Sequence, residues 1–112
     1  MRAKVIKIDA TEIADWATFH SVFSRDLGFP HFYGKNMNAW IDCVTSIDDA
    51  DSGMTGVTVA SDELAVLEIT GIKEFRTRCQ EQYDALVECS AFVNYRRVEV
   101  GERPVLALIL ID

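Results

Sequence analysis

From Ala3 to Ile8 (AKVIKI) apolar and polar residues alternate, the two-residue period of a strand with one buried face. Thr11 or Asp9 can then cap a helix from Ile13 to Arg25, in which Ile13, Trp16, Ala17, Phe19, His20 and Phe23 form a broad apolar stripe. Gly28 and Pro30 end that helix and open a short aromatic loop, His31-Phe32-Tyr33. A second helix is predicted from Asn36 to Ser46. Asn36 caps it, and Met37, Trp40, Ile41 and Val44 recur at i, i+3, i+4 and i+7. Residues 47–62, rich in Asp, Ser, Gly and Thr, read as a long surface loop with room for a short strand over Gly56–Val59. Leu64 to Thr70 is a β-branched-rich strand ended by Gly71. Ile72 to Cys79 reads as a short helix and Gln82 to Arg96 as a longer one. Tyr83, Leu86, Val87, Ser90, Ala91, Asn94 and Tyr95 are spaced for one face of it. After Gly101 and Pro104 comes a last strand, Val105 to Ile111, apolar on both faces as expected of a strand covered by helices.

The order is strand, helix, helix, strand, helix, helix, strand. Strands separated by helical segments call for parallel crossovers, so the expected class is α/β, a three-stranded parallel sheet packed by about four helices. With 112 residues and no linker, repeat or low-complexity tract, residues 1–112 read as a single domain.

Charge changes the picture more than composition does. The net charge is −7, with +1 over residues 1–35, −6 over residues 36–63, and −2 over the rest. Almost all the excess lies in and just after the second helix. Such a surface repels nucleic acid and anionic membranes, and it speeds encounter with a basic protein. An acidic loop that only keeps a small domain in solution carries the same charge.

Catalytic chemistry finds little support. His20 falls mid-helix among apolar residues, as a packed histidine would, while His31 can either meet a partner or sit in solvent. The three cysteines, Cys43, Cys79 and Cys89, lie inside predicted helices without CxxC spacing, and they read as buried thiols of a reducing cytoplasm. Cys43 has no histidine near it in sequence to make it a nucleophile. The N-terminus lacks a signal-peptide core, and the longest apolar run is too short for a membrane span. Asp48, Asp49 and Asp51 fail as a calcium loop, because Met54 and Ala60 occupy the positions that need Gly and Glu. They read as a solvated acidic loop. No phosphate-binding glycine loop occurs, and neither a cofactor nor a metal is expected.

What remains is the second helix. Asn38, Asp42 and Thr45, at i, i+4 and i+7, share the side opposite its apolar stripe. Taken alone, they fit a solvated helix face as well as a binding one. Pro30, Phe32, Tyr33, Gly34, Asn36, Asp42, Cys43 and Thr45, however, stand in an order that resembles the barstar family of intracellular ribonuclease inhibitors. The resemblance implies a non-enzymatic, cytoplasmic inhibitor of a basic ribonuclease or related nuclease toxin, monomeric when free. It also implies a helix carboxylate that takes the place of a substrate phosphate. The expected partner-binding set is His31, Phe32, Tyr33, Gly34, Asn38, Ile41, Asp42 and Thr45. Three positions depart from the family pattern. Phe32 replaces a tyrosine, Asn38 an aspartate, and Ile41 an interfacial tryptophan, with Trp40 beside it keeping the aromatic count. Glu81, Asp84 and Glu88 are the candidates for a further acid in the long helix. The alternative function is an acidic protein-interaction module with a non-nuclease partner.

Overall fold

The computed structural model describes residues 1–112 and contains three strands and four α-helices. In chain order these are β1 (Arg2–Asp9), α1 (Trp16–Leu27), α2 (Met37–Thr45), β2 (Glu63–Thr70), α3 (Ile72–Arg78), α4 (Gln80–Glu99) and β3 (Leu106–Leu110). All strand pairs are parallel, with β2 in the centre. The expected three-stranded parallel sheet with four helices is therefore the architecture.

Register explains what each strand buries. Ile6, Leu67 and Leu108 lie side by side, as do Ile8, Ile69 and Leu110, and these rows face the helices, with Leu110 left exposed at the end of β3. The alternate rows face away. There Val5 and Ile109 are about half exposed, and Val66 is buried without joining the main core. The last strand is thus not covered on both faces, as its apolar run had suggested. The helices pack against one side of the sheet, so the alternate rows have no helix above them.

Local chemistry sets the helix ends. Asp15, rather than Thr11 or Asp9, caps α1, accepting from the Thr18 N–H at 2.8 Å. Asp9 instead caps a single 3-10 turn over Ala10–Glu12, which leaves Ile13 buried ahead of the helix. Gly28 ends α1 in the left-handed region, φ 67°, and a Cβ there would meet the backbone of Gly56 at 2.8 Å. That close approach is why no strand forms over Gly56–Val59. The Gly56 N–H donates to the Gly28 carbonyl at 2.7 Å, Val57 N–H to Leu27, and Val59 N–H to Ile47. These donors close off the end of α1 and the long loop, not a ladder.

On α4 the buried side chains are Gln82, Leu86, Ser90, Val93 and Arg97. This stripe is rotated from the expected one: Val87, Ala91 and Tyr95 face solvent, and Val93 takes the core position. The core itself centres on Trp40, fully buried and edge-on to Phe23 at 5.7 Å.

Candidate functional site

The loop before α2 is built by one aromatic turned inward. The Tyr33 N–H closes a turn onto the Pro30 carbonyl at 2.9 Å, and its ring packs on Phe29 at 4.6 Å. Its hydroxyl meets His20 Nδ1 at 2.6 Å. Burial holds the Tyr33 phenol well above its ordinary pKa and pushes His20 down, with Lys35 adding to the second effect. A proline-started turn with its third ring anchored leaves the two residues between on the outside. His31 and Phe32 are exposed there, edge to face at 5.5 Å, and Phe32 is 65% exposed.

Asn36 then starts α2 as expected. Its Oδ1 accepts from the Ala39 N–H at 2.8 Å, while its Nδ2 donates back to the Gly34 carbonyl at 3.2 Å. The helix buries Trp40, Ile41, Cys43 and Val44 and exposes Asn38 and Asp42. Thr45 is half-buried, and its hydroxyl donates to its own helix, at Ile41 O, 2.6 Å away. Burial, with the charge of Asp42 beside it, pushes the Cys43 thiol up to about 11. A thiol held protonated in this way is a packing group, not a nucleophile.

Of the expected binding residues, the structure leaves His31, Phe32, Gly34, Asn38 and Asp42 exposed along the edge formed by the loop and α2. Tyr33 and Ile41 belong to the core, each only 8% exposed. Trp40 is also wholly inside, so it cannot stand in for an aromatic at Ile41. Tyr33 turns inward to meet His20 and Phe29, and Ile41 falls on the inward arc of α2 beside Met37, Trp40 and Val44.

Two arginines that composition had only counted give this edge its electrostatics. Arg96 Nη1 donates to Asp42 Oδ1 at 2.9 Å, with side chains 43% and 57% exposed. The helix carboxylate is therefore ion-paired from α4, although its side chain remains more than half exposed. Arg97, one residue on, is almost fully buried. It donates to the Thr45 carbonyl at 2.7 Å, to the Arg103 carbonyl at 2.9 Å, and to both oxygens of Asp48 at 3.0 and 2.7 Å. Burial pushes the Asp48 carboxyl up, but the Arg97 hydrogen bonds and charge outweigh it and hold the group below the usual range. Asp48 is thus a structural acid, not part of a solvated loop; Asp49 and Asp51 remain exposed. A sequence signal for Arg97 did exist. With Leu86, Ser90 and Val93, it continues the buried stripe of α4 at helical spacing.

Glu81, Asp84 and Glu88 lie eight or more residues before Arg96 on α4, which is about 12 Å or more along the axis at 1.5 Å per residue. None is the α4 residue that meets Asp42.

A family model described as Barstar (barnase inhibitor) matches residues 3–106. No curated protein matches the chain.

Proposed function

The chain belongs to the barstar family, and from that premise we propose that it is a cytoplasmic inhibitor of a basic ribonuclease or related nuclease toxin, acting by binding alone. The observation that carries this reading is Asp42, exposed at the middle of α2, the helix that follows the loop with the exposed pair His31 and Phe32. A carboxylate presents two oxygens to a guanidinium much as a phosphate does, and neighbouring aromatics supply contact area at little entropic cost. Engagement requires Asp42 to share or release Arg96. An exposed pair of this kind contributes about 0–1 kcal/mol, so the obstacle is small. Buried free thiols at Cys43 and Cys79 fit a reducing compartment.

Asp42 and Arg96 together are neutral, and that favours a second reading in which the docking patch of the partner is not uniformly basic. A non-nuclease protein partner would then use the same edge.

The test is inhibition of RNA cleavage by barnase, chosen as a probe of the family's target class, with the wild type, Asp42→Ala and Asn38→Ala. Truncating one member of a buried interfacial charge pair costs about 2–5 kcal/mol, mostly in the off-rate. Asp42→Ala should therefore lose binding by that amount while its stability falls by no more than about 1 kcal/mol. Asn38→Ala, which removes no charge, should cost distinctly less. Equal inhibition by Asp42→Ala and wild type would overturn the reading. Capture of a non-nuclease protein through Asp42, with no effect on nucleases, would establish the second.

A further inference from the structure

Between α1 and the loop before α2 lies a cleft of about 270 Å³, lined by Trp16, His20, Lys35, Asn36 and Met37. Drug-sized ligands usually occupy about 300–1,000 Å³, so this space suits a side chain or a very small molecule. Two of its five residues are held in unusual states. Lys35 adopts φ 54°, the left-handed region that disfavours any residue with a Cβ. Gly or Asn would sit there with less strain, yet the chain places a lysine in the lining of the cleft. It is also the one Lys or Arg between Arg25 and Lys73, and it forms no ion pair or hydrogen bond.

His20 forms the wall. Its ring is buried, stacked on Trp16 at 5.7 Å with planes 19° apart, and its Nδ1 is taken by the Tyr33 hydroxyl at 2.6 Å. The Tyr33 phenol has that one partner, so its proton is hydrogen-bonded only if it donates to Nδ1. The imidazole proton then sits on Nε2, which has no partner in the protein. The cleft accordingly combines an unpaired ammonium, an imidazole N–H without an acceptor, and apolar walls from Trp16 and Met37.

We propose that this cleft is a carboxylate-binding pocket, taking an acid group carried on a small apolar or planar body. Lys35 supplies the charge, His20 Nε2–H the directed hydrogen bond, and Trp16 the surface against which the body lies. A multiply charged, strongly hydrated phosphate fits less well, because the walls are apolar and the protein carries −7 overall. Either a free small acid or an Asp or Glu side chain of a protein partner has this chemistry. The carboxylate pocket stands independently of the nuclease-inhibitor reading, and only the assignment of its source rests on that reading.

The experiment follows Trp16 and His20 by NMR while the protein is titrated with sodium benzoate, with sodium chloride at matched ionic strength as the control. Saturable shifts at both residues, absent with chloride, are expected. Lys35→Gly should weaken benzoate at least tenfold and melt no lower than wild type, since glycine accepts the positive φ without strain. Unsaturated shifts, shifts shared with chloride, or equal benzoate affinity in Lys35→Gly would each overturn the pocket. Tighter binding of inorganic phosphate than of benzoate would overturn the carboxylate assignment. The source is then decided on barnase. Weaker inhibition by Lys35→Gly assigns the pocket to an acid side chain of the partner, and unchanged inhibition assigns it to a free small acid.

Discussion

Asp48→Ala should unfold this protein far more readily than the neighbouring Asp49→Ala, though both remove one charge from the same acidic run. Asp48 holds Arg97 through two hydrogen bonds of 3.0 and 2.7 Å, and the Arg97 side chain is 3% exposed. Without Asp48, the guanidinium keeps the Thr45 and Arg103 carbonyls but loses the acceptor for Nη2. The nearest remaining carboxylate is Glu102, 3.5 Å from Nη1 and half exposed. Removing one member of a fully buried pair costs about 3–5 kcal/mol because the survivor stays charged and unpaired. The Asp48 side chain is 23% exposed, and Glu102 offers partial compensation, so about 2–3 kcal/mol is expected here. In thermal terms that is a loss of roughly 10 °C for a domain of this size. Urea unfolding at neutral pH reads the difference as a lower midpoint at unchanged slope. Asp48→Ala combined with Arg97→Met should be less destabilised than the two single effects added. The pH dependence has a definite sign. The Asp48 carboxyl is held below its unfolded value, so the pairing contributes fully above about pH 4 and is lost as pH falls through the lower folded value. The gap between wild type and Asp48→Ala should therefore close in acid. A midpoint for Asp48→Ala indistinguishable from that of Asp49→Ala would refute the structural role.

Three further outcomes follow from the same geometry. If Asp49 and Asp51 steer a basic partner, neutralising that pair should slow association and flatten its salt dependence with little change in off-rate, because exposed charges are screened over about 8 Å; stopped-flow rates that do not vary with salt would contradict this. Cys43→Ala should leave binding intact and lower stability by about 1 kcal/mol or more, the thiol being buried in α2, whereas a stoichiometric disulfide found by mass spectrometry would overturn the free-thiol assignment. His20 titrates below its ordinary value in the folded state, chiefly through burial, so stability should be full above about pH 6.5 and decline as pH drops below it; a decline that persists unchanged in His20→Gln would show that another group is responsible.

Much of the fold was legible because its signals are local. The alternation of β1, the β-branched run of β2, the Asn36 cap and the apolar spacing of α2 all act within a few residues, and each element forms where its pattern says. The exposure of Asn38 and Asp42 follows from the same 100° step. Only the tertiary structure decided which of two similar residues does what. Tyr33 goes inside and Phe32 outside because His20, on α1, offers the phenol a partner. Asp48 becomes structural and Asp49 does not because Arg97, 49 residues away in sequence, lies over one of them. Val93 replaces Val87 in the core because the helices cover one face of the sheet, and that sets how α4 must turn to lie on it. Periodicity specifies that a helix has a buried side. Which residues meet there, and which charges cancel, depends on partners that the chain brings close only when it folds.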